Sequence, residues 1–204
     1  MVELTVNHML RAQIPERFYN VTLSEARVSA EIMHKLNTYR IRMPTILERG
    51  YGLYLWSEAY GTGKTSIAVC LLKAAMHRRY SALFIDAPSL KGVLAKDTPF
   101  DEGASWSQRL MDVDLLVIDD LGKEYQSGSG FGEKAVENLI RERIQHNKST
   151  IITGNLRPEA LAKTYSTSLL SLFQETMAPL EITGYNWRTA KEKDLKDLLN
   201  GEAE

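Results

Sequence analysis

A three-layer α/β sandwich built on a parallel sheet of five strands is the fold this sequence predicts, and three observations carry it. Short aliphatic runs alternate with longer stretches of helical periodicity along most of the chain, the pattern of strands joined by crossover helices. The first run, Gly52-Leu53-Tyr54-Leu55-Trp56, opens into a glycine-bearing loop followed by a helical pattern. The third, Leu115-Leu116-Val117-Ile118, is four consecutive aliphatics ending in two adjacent acids, Asp119 and Asp120, which suits a strand covered on both faces.

In order, residues 1–50 read as an N-terminal extension with a linker helix and 51–204 as the core. Pro15 makes Ile14-Pro15-Glu16-Arg17-Phe18 extended or turn-like. Ser24 caps a helix to about residue 42, with Val28, Ile32, Leu36 and Tyr39 on one face. Pro44 interrupts, and a short helical turn over 45–49 ends at Gly50. After the first strand and the glycine loop a helix covers 65–79; its closing His77, Arg78 and Arg79 complement the helix dipole rather than mark a DNA patch. Strands follow over 81–85, 114–120, 149–153 and 180–183. Two short helices, 89–96 and 105–111, flank a polar stretch at 97–103. A loop rich in Ser and Gly at 126–130 precedes a helix over 131–146, whose face is Val136, Leu139, Ile140 and Ile144 and whose Arg141, Glu142 and Arg143 are solvated. Pro158 opens another helix, 166–176 forms the next, and a charged helix closes the chain with Leu195, Leu198 and Leu199 as its apolar side.

Composition bounds the function. At 204 residues, 44% hydrophobic and 25% charged, the chain is one globular domain with an adequate core. A net charge of −1 excludes a generally cationic nucleic-acid binder, so any DNA contact must come from a local patch. No apolar run approaches membrane-spanning length and the N-terminus has no signal-peptide core, so the protein reads as cytoplasmic, without a membrane partner. His8, His34, His77 and His146 lack partners at ligand spacing, and lone Cys70 reads as core packing.

The chemistry lies in Ser57-Glu58-Ala59-Tyr60-Gly61-Thr62-Gly63-Lys64-Thr65. Placed between strand and helix, Gly61, Thr62 and Gly63 turn backbone N–H groups toward phosphates, and the helix N-terminus adds its positive end. Lys64 would reach the β- and γ-phosphates, and the Thr65 hydroxyl would ligate Mg²⁺. These features predict a P-loop NTPase fold that takes ATP. One position departs from the pattern, which wants glycine where Glu58 stands. A charge about 10 Å from the phosphates repels less than Lys64 at about 4 Å attracts, so binding is weakened or unaltered but not abolished. Asp119 and Asp120 would reach the carboxyl edge of the sheet, where such folds bind ligands; Asp119 would hold Mg²⁺ through water, and Asp120 would orient or deprotonate the attacking water. Asn155 ends the fourth strand on the same edge, either as a partner of that water or of the γ-phosphate or as a turn former.

Taken together, Ile14-Pro15-Glu16-Arg17-Phe18 with Thr22-Leu23, Gly61-Thr62-Gly63-Lys64-Thr65, Leu116-Val117-Ile118-Asp119-Asp120-Leu121-Gly122, Thr153-Gly154-Asn155-Leu156 and Ile182-Thr183-Gly184-Tyr185-Asn186-Trp187-Arg188 resemble, in order, the motifs of the DnaC/DnaI-type replicative helicase loaders, which IstB-type transposition ATPases share. The resemblance spans roughly residues 12–190 and is to AAA+ ATPases. It implies ATP at Lys64 and Thr65, a sensor at Asn155, a second sensor at Arg188 touching the γ-phosphate, and the Ile14 to Phe18 segment near the adenine. It further implies a replicative helicase as partner and single-stranded DNA along the insertion at 89–111, with Lys91 and Lys96 as candidate phosphate contacts or merely solubilising lysines.

Two departures qualify that resemblance. Family members carry a separate N-terminal helicase-binding module for which this chain has no room, leaving residues 1–50 to hold a partner site. The family also places an arginine before the fifth strand that reaches a neighbouring subunit's ATP, whereas here no Lys or Arg occurs from Thr164 to Trp187. Such a finger is worth about 10³ to 10⁵ in turnover. The expectation is therefore an ATP-binding protein of the helicase-loader type, a weak ATPase alone, with its oligomeric state left open. The alternatives are a transposition accessory ATPase and a non-hydrolysing, nucleotide-gated interaction protein.

Overall fold

The protein, as a computed structural model, is described over residues 2–95, 105–122 and 131–200. Five parallel strands, β1 (Gly52–Trp56), β2 (Ala82–Asp86), β3 (Leu115–Leu121), β4 (Ser149–Gly154) and β5 (Met177–Glu181), lie in the order β2-β3-β4-β1-β5. Alternate residues of each strand supply two cores. Leu53, Leu55, Val117 and Ile151 meet α1 (Val6–Arg11), α2 (Ala30–Glu48) and α3 (Lys64–His77) on one face. Tyr54, Leu116, Ile118 and Ile152 meet α4 (Ala87–Ala95), α5 (Trp106–Asp112), α6 (Phe131–Gln145), α7 (Pro158–Thr164) and α8 (Thr167–Thr176) on the other. A last helix, α9 (Trp187–Asn200), follows β5. This is the predicted P-loop sandwich with a helical N-terminal extension, and the extension packs into the same core as β1 and α3 through Met9, Ile14, Phe18, Leu36 and Met43. Among the described residues no helix is long and apolar enough to cross a membrane. The stretches read as polar or loop-like at 97–103 and 126–130 lie outside the described residues.

Four differences from the sequence reading have physical causes. The long N-terminal helix starts at Ala30, capped by Ser29, whose hydroxyl accepts from the Ile32 N–H at 3.3 Å. Ser24 sits instead in a short 3₁₀ turn, Leu23–Glu25, closed by Thr22 N–H donating to Glu25 Oε2 at 2.7 Å. Pro44 does not break α2: Met43 and Leu47, buried on either side of it, hold the helix against the core, so packing outweighs the lost hydrogen bond. The fifth strand starts three residues earlier than predicted and contains Pro179, which an edge strand tolerates because one of its sides has no ladder to complete. Finally Arg143, read as solvated, is fully buried. Its guanidinium donates to Thr150 Oγ1 and to the carbonyls of Leu110, Met111, Val113 and Ser149 at 2.6–3.2 Å.

One buried group is a liability. The Tyr39 hydroxyl has no hydrogen-bond partner among the described residues, and burial raises its pKa well above the usual phenol value. Tyr39→Phe removes an unsatisfied polar atom without removing the ring, so it should stabilise the protein by up to about 1 kcal/mol in urea unfolding; a loss of stability would reveal a hydroxyl partner.

Candidate functional site

The loop after β1 owes its shape to two glycines. Gly61 has φ +74° and Gly63 φ +89°, left-handed conformations costly for residues with a Cβ. Gly63 is the N-cap of α3, so the helix starts at Lys64. Lys64 is 7% exposed, its ammonium donating to the carbonyls of Ser57 and Ala59 at 3.4 and 3.1 Å and to Thr62 Oγ1 at 3.5 Å. A cation is thus held inside a ring of loop carbonyls at a helix N-terminus.

From the neighbouring strands come the acids. Ile118 pairs with Ile152 and Leu121 with Gly154, leaving Asp119 and Asp120 opposite Thr153 alone. This is a β-bulge, and Asp120 takes φ +60° within it. The bulge turns the end of β3 and lets Asp119 reach across to α3. Its Oδ1 accepts from Thr65 Oγ1 at 2.8 Å and from Thr153 Oγ1 at 2.6 Å, while the Asp120 N–H donates to the same Thr153 hydroxyl at 2.9 Å. Asp119 is 6% exposed. One residue beyond β4, the Asn155 side-chain oxygen is buried with no hydrogen-bond partner among the described residues. Tyr54 supports that end of β4 from below: its hydroxyl donates to the Leu156 carbonyl at 2.7 Å, and a Cβ on Gly154 would lie 2.6 Å from it.

The C-terminal segment closes on the same loop. Trp187 N–H donates to the Gly61 carbonyl at 3.0 Å, and a Cβ on Gly61 would meet Asn186 Oδ1 at 2.2 Å and Arg188 Cγ at 3.2 Å. Asn186 Oδ1 also accepts from the Arg188 and Thr189 N–H groups, setting the first turn of α9. Gly61, Thr62, Gly63, Lys64, Thr65, Asp119, Asp120, Asn155 and Arg188 therefore come together around one end of the sheet. Ile14 and Phe18 pack more deeply, in one cluster with Ile67, Leu71 and Ile182. Lys91 falls on α4, and Lys96 lies outside the described residues.

Three residues of this region escaped the sequence reading. Thr153 bridges the two acids; the signal was a hydroxyl following Ile151-Ile152 at the carboxyl end of β4. Asn186 joins loop to helix through a contact no spacing reveals. Lys73, a solvated-looking lysine of α3, donates to the carbonyls of Phe18, Tyr19 and Val21 at 3.3, 3.0 and 2.5 Å, fastening the 14–21 segment to the helix that the glycine loop begins. Burial lowers its pKa, and the adjacent Cys70 thiol is pushed up to about 11 by burial, which fits its packing role.

Glu58 is not a defect in this geometry. It is absent from the residues with positive φ, so its place does not require glycine. Its carboxylate pairs with Arg157 at 2.9 Å, and hydrogen bonding to that guanidinium holds its pKa below the usual range. Both side chains are well exposed, 61% and 58%, so the pair is screened and weak. Glu58→Gly should accordingly change MgATP affinity by less than about threefold; a gain beyond tenfold would show that the carboxylate hinders the site.

The arrangement fits a nucleoside triphosphate with a divalent cation. Left-handed glycines present N–H groups, Thr65 and Asp119 offer the hard oxygen ligands Mg²⁺ prefers, and Asn155 has an oxygen to satisfy. The family model described as IstB-like ATP binding protein matches residues 54–171. The chain belongs to this family. Its IstB-like fold is also that of solved structures. "Crystal structure of the DnaC helicase loader" aligns with TM-score 0.72 at 24% identity over 83% of this chain and 100% of that one. "Crystal Structure of the DnaI" gives 0.68 at 22% identity, over 83% and 95%. AMPPCP-bound DnaA from Aquifex aeolicus gives 0.62 at 21% identity, over 88% and 56%. No curated protein matches the chain. The chain thus has an IstB/DnaC-like AAA+ fold in an ATP-binding family.

Proposed function

We propose that this IstB-like protein binds MgATP at the 58–65 loop and uses nucleotide state to govern its engagement of a replicative helicase, in the manner of a helicase loader. The observation that carries the reading is the 2.8 Å contact of Thr65 Oγ1 with Asp119 Oδ1 beneath the glycine loop, a hydroxyl and a carboxylate meeting where a divalent cation would be held. Lys64 takes the β- and γ-phosphates, Thr65 and Asp119 hold Mg²⁺, and Asp120 with Asn155 positions the attacking water. Arg188 reaches the γ-phosphate from the first turn of α9, and Ile14 and Phe18, buried in the core, back the adenine side from beneath. Bound MgATP supplies the transferable phosphoryl group with part of its charge already neutralised. Lys91 and Lys96 are the contacts proposed for single-stranded DNA.

Helicase loading is supported by the fold shared with structures described as the DnaC helicase loader and DnaI. The test is capture of a purified hexameric replicative helicase on the immobilised chain with MgATP or MgADP. Capture that depends on the nucleotide, and is lost in Lys64→Ala, is expected; no capture, or equal capture in every condition, contradicts it.

One observation favours a second reading, a nucleotide-gated interaction protein without useful hydrolysis. Helix α8, TSLLSLFQET, has no basic residue to reach a neighbour's phosphates. The chain alone should therefore turn over ATP more slowly than about 1 s⁻¹, and faster steady-state turnover lost in Lys64→Ala would overturn this. An IstB-like transposition accessory role predicts instead ATP-dependent filaments on duplex DNA, which electron microscopy would detect.

A further inference from the structure

Beside the glycine loop lies an aromatic and cationic cluster that the phosphate machinery does not use. Tyr185 and Trp187 stand edge to face, ring centroids 5.1 Å apart at 79°. The Arg27 guanidinium covers both rings, 4.2 Å from the Tyr185 centroid and 5.1 Å from that of Trp187. The cluster is tied to the loop itself. Besides the Trp187 N–H bond to Gly61, the indole Nε1 would lie 3.6 Å from a Cβ on Gly63.

A base tethered through its ribose to phosphates held at residues 61–65 must land on a surface bordering that loop. Ile14 and Phe18 are only 3% and 8% exposed, whereas Tyr185 keeps 37% of its surface open. Aromatic faces and guanidinium planes are what a nucleobase stacks on. We propose that Arg27, Tyr185 and Trp187 form the platform on which the adenine of the bound nucleotide stacks. The inference rests on the phosphates occupying the glycine loop, and it makes base affinity a property of the N-terminal extension and α9 together, since Arg27 comes from one and the rings from the other.

The test compares MgATP with magnesium tripolyphosphate, which keeps the phosphates and lacks the base, by calorimetric titration of the full chain. Wild type should bind MgATP at least about tenfold more tightly, the worth of a base–aromatic stack. Tyr185→Ala and Arg27→Ala should each erode that margin while leaving tripolyphosphate affinity unchanged, and Tyr185→Phe should keep it. Equal affinities in wild type, an undiminished margin in Tyr185→Ala and Arg27→Ala, or equal losses on both ligands would overturn the platform. If wild type bound neither ligand, the phosphate-loop reading would fall and the platform with it.

Discussion

Lys64→Ala should lower MgATP affinity by more than about 30-fold. Removing a desolvated charge partner of a phosphate costs roughly 2–5 kcal/mol, and Lys64 is the buried cation of the loop, already surrounded by the carbonyls of Ser57 and Ala59. Lys64→Arg should not restore binding. A planar fork with five donors cannot replace a compact ammonium among those acceptors. Fluorescence or calorimetric titration reads the effect, with a thermal melt to show that the variant is folded. Affinity within a few-fold of wild type in a folded Lys64→Ala protein would mean that phosphates are held elsewhere.

Arg143→Met should cost about 3–5 kcal/mol of stability, a large share of the roughly 5–15 kcal/mol that holds a domain together. The guanidinium stitches the end of α5 to the start of β4 by satisfying four backbone carbonyls, and methionine satisfies none. Burial draws the Arg143 pKa down to about 9, with Asp114 opposing that shift, so the group is still charged at neutral pH. Urea unfolding should show a much lower midpoint, or the variant should be recovered largely insoluble. A midpoint near that of wild type would show that α5 and β4 find other donors.

Arg143 also shows where sequence reasoning stops. The apolar face of α6 was legible from Val136, Leu139, Ile140 and Ile144, but a basic residue between Glu142 and Ile144 looks the same whether it meets water or the carbonyls of another helix. The parallel sheet, the glycine loop and the paired acids were legible because each is a local pattern: an aliphatic run, a conformation only glycine takes easily, two carboxylates after a strand. The bulge at Asp119–Asp120 was not, since it depends on β3 having one residue more than β4 between shared pairings. Nor was the docking of Asn186 and Trp187 on Gly61, a contact between positions more than a hundred residues apart. Glu58 illustrates the converse. Against the motif it looked like damage, yet its backbone lies outside the left-handed region and its charge has a partner in Arg157.

Titration calorimetry of the full chain with ATP, in millimolar Mg²⁺ and again with the metal chelated, reads whether the glycine loop holds a metal-bound triphosphate. If Thr65 and Asp119, in contact at 2.8 Å, share a cation with the phosphates, one saturable site in Mg²⁺ and markedly weaker binding in chelator are expected. No heat with MgATP, or an affinity indifferent to both Mg²⁺ and Lys64, would contradict it.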